Sequence, residues 1–389
     1  MKTNNEQKDN RKHLAALSAA SFLNDFGSDV IYPIWPKFIL LLTGTNMAIL
    51  GLIDGLGDTI VSISQALSGY VSDRLGKRRI FIWTGYLFGG TSRLGYALST
   101  TWQQVIPFRI LDRFGKIRGA PRDAMIADIS TQKNRGRNFG LLRAMDNLGA
   151  VCGITTAILL FSLLGYANLF LLAAAPSFIG ALLILVVVKD RKIEKLFRGL
   201  TLRDLTPNLR LFLFLSALFA LGAFSYSFLL IYADTLGFKI PFTLFEIPDI
   251  AVFYLIFTVV ASLMSLPFGK LADIIGRKKV LFLSYVFWGA LCLGFIYASS
   301  LVGIVLLFVL YGLHRAAAEP VSKAFVSELA PEKYRASVLG AYQLVVGFSA
   351  LPASIIAGIL WTGFGMQTPF YVSVILTCAA TLLLLFVRE

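Results

Sequence analysis

Charge is scarce in this chain. Only 15% of its 389 residues are Asp, Glu, Lys or Arg, against about 25% in soluble domains, while 57% are hydrophobic and the mean hydropathy is +0.73. That excludes a water-soluble globular protein. Histidine is nearly missing too, with His13 and His314 alone, so there is no H-E-x-x-H zinc helix and no Ser-His arrangement for an intramembrane enzyme. The three cysteines, Cys152, Cys292 and Cys378, sit singly in apolar runs and form neither a disulfide framework nor a zinc site. No G-x-x-x-x-G-K-S/T occurs, which removes ATP as a direct energy source. The sequence thus calls for no cofactor and no metal, and argues against an enzyme.

What is present is apolar sequence of membrane-spanning length, repeated. A transmembrane helix needs roughly 20 apolar residues, and stretches of that kind fall at 14–42, 47–72, 79–99, 103–130, 138–163, 167–188, 209–236, 250–272, 280–299, 302–328, 336–361 and 367–387. The expected fold is all-α, a membrane protein of twelve transmembrane helices. The first stretch is too long for a signal-peptide core and reads as a retained helix. The net charge of +14 raises the question of nucleic acid, but the basic residues make no continuous face or tail. They recur in alternate loops: Lys8, Arg11 and Lys12; Arg74 to Arg79; Lys133 to Arg137; Lys189 to Arg210; Lys270 to Lys279; Lys333 and Arg335. The intervening loops offer Lys239 beside Glu246 and Asp249. By the positive-inside rule both termini are expected in the cytoplasm, in a multi-pass protein of the cell (inner) membrane.

The longest charged loop divides the chain into a tail at 1–13, a six-helix bundle at 14–188, a linker at 189–208 and a second bundle at 209–389. An internal repeat supports the division. Gly69-Tyr-Val-Ser-Asp73-Arg74-Leu-Gly76-Lys77-Arg78-Arg79 recurs 200 positions later as Gly269-Lys-Leu-Ala-Asp273-Ile-Ile-Gly276-Arg277-Lys278-Lys279, and the same shift carries Asp128, Lys133, Arg135 and Gly140 onto Glu328, Lys333, Arg335 and Gly340. Physically, Gly69 and Gly76 permit close helix approach and a tight turn, Asp73 suits a helix N-terminus, and the basic residues can pair with Asp128.

The repeated loop resembles the signature of the major facilitator superfamily, G-x-x-x-D-R-x-G-R-R/K between helices 2 and 3, with Ile274 standing where the pattern has Arg. The resemblance implies two pseudo-symmetric six-helix bundles and secondary transport by alternating access. It also implies that Gly69, Asp73, Arg74, Gly76, Lys77, Arg78, Asp128, Gly269, Asp273, Gly276 and Arg277 form a gating network, the alternative being that the cations only orient the chain. In helix 5 the superfamily's exporters carry G-x-x-x-G-P. Here Gly149 and Gly153 are followed by Ile154, so the glycine pair is present without the proline, and close packing of helices 5 and 8 is expected from it.

Ionisable groups at bilayer depth are costly, at least about 2.5 kcal/mol each, and mark function or pairing. Seven acids (Asp25, Asp29, Asp54, Asp58, Asp112, Asp123, Asp146) face seven cations (Arg93, Arg109, Arg113, Lys116, Arg118, Arg122, Arg143) in the first half. The set Arg118, Arg122, Asp123, Arg143 and Asp146 reads as a salt-bridge cluster joining helices 4 and 5. Asp25 and Asp29 are four residues apart, on one face of helix 1, and carboxylate pairs in such a setting exchange protons near neutral pH. Asp25, Asp29 and Asp58 are therefore the proton-coupling candidates, unless they only neutralise Arg93 and the helix 4 cations. Arg109, Asp112, Arg113, Lys116, His314, Arg315 and Glu319 are the substrate-cavity candidates, though Arg315 and Glu319 can also satisfy each other at i,i+4. The expected partners are a small organic solute, protons and the bilayer, with the protein acting as a monomer and without nucleic acid. Export by antiport is slightly favoured over proton-coupled uptake of an organic anion, and siderophore or metal export is a third reading.

Overall fold

The computed structural model describes residues 2–130, 135–190, 206–237, 249–330 and 335–388, and is α-helical with no strand among them. The helices are α1 (Lys2–Ile31), α2 (Trp35–Thr43), α3 (Met47–Leu75), α4 (Arg79–Leu98), α5 (Trp102–Phe114), α6 (Gly119–Asp128), α7 (Arg135–Val187), α8 (Pro207–Gly222), α9 (Tyr226–Thr235), α10 (Asp249–Ile275), α11 (Arg277–Ile296), α12 (Leu301–Leu329), α13 (Arg335–Phe364) and α14 (Thr368–Phe386). Eight stretches of the described residues are long and apolar enough to cross a membrane. The expected spans at 14–42, 79–99 and 103–130 are not among those eight, because their buried Asn, Asp and Arg side chains dilute the apolar run. Many large side chains on the helix surfaces are apolar, among them Leu163, Val186, Leu263, Ile375 and Phe386, as a lipid-facing perimeter requires.

Several expected spans are interrupted, each for a visible reason. The expected tail at 1–13 is helical from Lys2. The span that follows is broken: α1 stops at Ile31 and α2 restarts at Trp35 with Pro36 in its first turn, where the missing proline N–H costs nothing. The expected fourth span divides into α5, a 3₁₀ turn at Gly115–Arg118, and α6. The seventh divides at Ala223, and the side chain of Ser225 caps the restart by accepting from the Ser227 N–H.

Helix α7 runs the other way, joining two expected spans into 53 residues. A straight helix of that length would reach about 80 Å, far beyond the ~30 Å hydrocarbon core. Gly165, with φ 65° and ψ −172°, folds it. The contacts with α1 give the directions of the two limbs. Phe22 and Phe26 meet Gly149 and Gly153 in ascending order, whereas Ala20 and Gly27 meet Gly180 and Ala173 in descending order. A Cβ at Gly149 or Gly153 would run into the carbonyl oxygen of Phe22 or Phe26. These glycines therefore seat the first limb of α7 against α1, which corrects the expectation that they serve contact with helix 8.

The chain forms two compact units: Met1–Ile34 with Ile63–Arg198, and Trp35–Ser62 with Gly199–Glu389. The first is built around Leu17, Ala20, Ile82, Tyr86, Ile126 and Ile184. The second holds the core of Leu209, Phe212, Val280, Phe325 and Leu384 and an edge-to-face aromatic set of Phe224, Phe228, Tyr232, Trp361 and Phe370. Within the second unit Asp54 is the polar centre. Its carboxylate, 2% exposed, accepts from Trp35 Nε1 at 2.9 Å, from Ser225 Oγ at 2.7 Å and from Ser227 Oγ, binding α2, α3 and α9 at one point. Lys37 pairs with Asp234 at 2.5 Å and joins α2 to α9 again.

The close approach makes a prediction. Gly153→Leu should destabilise the protein by about 1–3 kcal/mol through overpacking, seen as a lower thermal midpoint in detergent, whereas Gly363→Leu, where an added Cβ meets nothing, should leave it unchanged.

Candidate functional site

Gly76 and Gly276 both adopt positive φ, 64° and 98°, the conformation that turns the chain out of α3 and α10. Beyond them the two copies differ. In the first, Lys77 and Arg78 precede the start of α4, the Arg78 guanidinium pairs with Asp128, and Arg79 donates to the Leu185 carbonyl at the end of α7. In the second, α11 begins immediately at Arg277. There Arg277 pairs with Glu328 and lies 3.4 Å from Asp273, and Lys278 donates to the carbonyls of Leu385 and Val387 at 2.8 Å each. The acceptors obey the shift of 200 positions, but the cations sit one residue earlier because the second turn is shorter. Asp190, just past α7, completes the first copy by accepting the backbone N–H groups of Arg78 and Arg79 at 2.8 Å, a carboxylate on the N-terminus of α4. The side chains of Asp73, Arg135 and Arg335, the residues Lys133, Lys239, Glu246 and Lys333, and linker residues 191–205 lie outside the described residues.

Deeper in the first unit, Arg93 of α4 is 1% exposed. Its guanidinium donates to Ala173 O at 2.8 Å, Ser177 Oγ at 2.5 Å, Asn24 O at 3.1 Å and Ser28 Oγ at 2.8 Å. Neutral oxygens of α1 and α7 thus hold it. Nearby, Arg122 pairs with Asp123 at 3.1 Å and Asp146 at 3.5 Å, and Arg143 with Asp123 at 3.6 Å and Asp146 at 3.2 Å. Ser21 extends this cluster into α1, donating to Asp146 and accepting from Arg122. Arg118, expected in the same cluster, instead donates to Gly115 O at 2.8 Å and lies over the Tyr86 ring at 5.1 Å, because the 3₁₀ turn rotates it away from the carboxylates.

The candidates for proton coupling and substrate contact are distributed over both units. Asp25 and Asp29 are half-buried on α1. Asp25 accepts from Asn24 Nδ2 at 3.0 Å and enters no ion pair among the described residues. Tyr32, one turn further along, receives Arg113 Nη1 on its hydroxyl at 3.0 Å and the same guanidinium over its ring at 4.9 Å. Arg113 also lies 3.6 Å from Asp112, while Lys116 is half-buried in the 3₁₀ turn. Asp58 is an exposed residue of the second unit, so no single unit gathers Asp25, Asp29 and Asp58. In the second unit Arg315 and Glu319 meet at 2.5 Å, Arg315 half-buried and Glu319 exposed, with Arg315 5.9 Å from the Phe257 ring centre.

Two cavity candidates are buried. His314 is buried against Trp288 and Phe219, with its Nδ1 2.8 Å from the Ser284 carbonyl and 3.0 Å from its hydroxyl. Arg109 is 2% exposed.

A model of the Major Facilitator Superfamily matches residues 17–253 and 212–389. The chain belongs to this superfamily. It is 38% identical to an MFS-type transporter of Methanocaldococcus jannaschii over 99% of its own length and 97% of that protein. It is 27% identical to the quinolone resistance protein NorA of Staphylococcus aureus over 36% of each chain. Its fold matches a crystal structure of a mutant of the nucleoside transporter NupG with a TM-score of 0.78 at 17% identity, over 97% of this chain and 100% of that one. As a superfamily member the protein is a membrane-spanning transporter of the all-helical MFS fold, and not an enzyme.

Sequence reasoning in terms of ionisable residues missed the neutral ones that complete these sites: Ser21, Asn24 and Ser28 on α1, Tyr32 just past its end, Ser177 on α7, and Trp35, Ser225 and Ser227 around Asp54. A signal existed, since Ser21, Asn24 and Ser28 recur at helical spacing along one face. Asp190 was hidden in a loop read for its cations. If its cap on α4 operates as the geometry indicates, Asp190→Ala should cost about 0.5–2 kcal/mol in thermal melts, and Asp190→Asn, which keeps an acceptor oxygen, markedly less.

Proposed function

We propose that this superfamily member is a proton-coupled secondary transporter that moves a small organic solute across the cell membrane by alternating access, with export favoured. The observation that carries the proposal is Asp25. It is a half-buried carboxylate on α1 that enters no ion pair among the described residues, and its neighbour Arg93 is occupied by neutral oxygens. A carboxylate so placed is available to take up and release a proton, whereas one locked to a cation is not. Asp29, on the same face, is the second coupling group, and Asp58 the third.

The direction rests on two supports. One is the likeness of part of the chain to the quinolone resistance protein NorA. The other is the state of the cations that an organic anion would need, since Arg113 is engaged by Asp112 and Tyr32, leaving Lys116 as the freer charge. Uptake of an organic anion is the second reading and rests on that lysine.

The gating network has a physical basis in the ties Arg78–Asp128 and Arg277–Glu328, each of which can hold one conformation and break in another. Twelve spans with cytoplasmic termini are part of this proposal.

The test is proton flux in proteoliposomes carrying an internal pH dye, challenged with lipophilic cations, organic acids and siderophores. A solute-dependent pH change is expected, and Asp25→Asn should lower it at least about tenfold, the cost of ~1.4 kcal/mol in a coupled step, while exchange of labelled solute persists. Unaltered coupling in Asp25→Asn, Asp29→Asn and Asp58→Asn alike would remove these residues from the mechanism. Equilibration of a solute with no proton movement would make the protein a facilitator.

A further inference from the structure

A cleft of about 700 Å³ opens in the first unit between the start of α1 and the end of α7. Its polar end holds Lys12, His13 and Lys189, with Asp9 as the one acid, and its apolar wall is made by Ala16, Ala19, Leu183 and Val187. The placement of the cations is specific. Lys12 precedes the apolar run that begins at Leu14, and Lys189 follows the run that ends at Val188, so the two ammonium groups stand at one level, where two apolar helical segments meet the polar boundary. Neither lysine enters an ion pair among the described residues. His13 is buried and also lines a small neighbouring cavity with Arg78, Asp128 and Lys189.

We infer that this cleft is a binding site for an anionic phospholipid, with the headgroup phosphate between Lys12, His13 and Lys189 and an acyl or isoprenoid chain along Ala16, Ala19 and Leu183. The charge balance favours a phosphate, because two lysines outweigh Asp9. The apolar wall then decides between sources. A free phosphate would use only the polar end, whereas a lipid covers both, and the chain lies in a membrane where juxtamembrane cations attract anionic headgroups. The inference needs the membrane location of the superfamily but not the direction or coupling of transport.

Purified full-length protein in detergent would be melted with phosphatidylglycerol, with phosphatidylcholine and with inorganic phosphate. Phosphatidylglycerol should raise the thermal midpoint by several degrees beyond phosphatidylcholine, and inorganic phosphate should not. The double variant Lys12→Gln/Lys189→Gln should lose most of that increment while keeping its midpoint in detergent alone. Ala15→Trp, at an exposed position beside the apolar wall, should lose it with every cation intact, and it decides the matter if the lysine variant does not fold. Equal stabilisation by the two lipids, or an increment that survives both variants, overturns the inference. An increment reproduced by inorganic phosphate overturns the lipid and leaves an anion site.

Discussion

A charge carried into a hydrocarbon layer must be met by the protein itself, since no water is there to do so. Much of the architecture of this transporter follows from that constraint. Arg93 is met by four neutral oxygens from α1 and α7, Asp54 by an indole and two hydroxyls from α2 and α9, and Arg122 by two carboxylates and Ser21. In each case the partners come from different helices. The solvation of one group is thereby the fixing of several helices, and a helix cannot shift without stranding a charge. Glycines at Gly149 and Gly153 work alongside by bringing α1 within backbone contact of α7, close enough for short side chains such as Ser and Asn to reach.

The two halves of the repeat solve one problem with a displaced register. Both need a cation tied to an acid at the end of the fourth helix of the half, and both need a second cation on the carbonyls that end its sixth. The acceptors are held in place by long helices and keep their spacing. The donors sit on a turn, and the turn that loses its two intervening residues hands each role to the preceding cation. A repeat measured on helices is therefore conserved in geometry where the sequence alignment at the turn is off by one.

The helices and the motif were legible because apolar length and basic turns are written in runs of residues. The breaks were less so. Pro33 and Pro36 lie at the interruption at residues 32–34, whereas the break at Ala223 has no proline beside it. Of the site, the ionic clusters were legible from charge alone: Arg122 with Asp123 and Asp146, and Arg315 with Glu319, meet as their spacing suggested. Arg109 and His314 are buried, and a helix rotation too small to alter the pattern of apolar residues decides whether a side chain sees open space or a core. Serines and asparagines escaped because their role depends on which helix they face, and a single sequence does not carry that information.

The fold at Gly165 has a consequence of its own. The two limbs of α7 turn on one residue, so the chain offers no extended peptide there long enough to enter a protease cleft. Engineers of tagged or split forms of the protein have no natural insertion point at that end of the hairpin, and a label introduced there must be carried on an added linker.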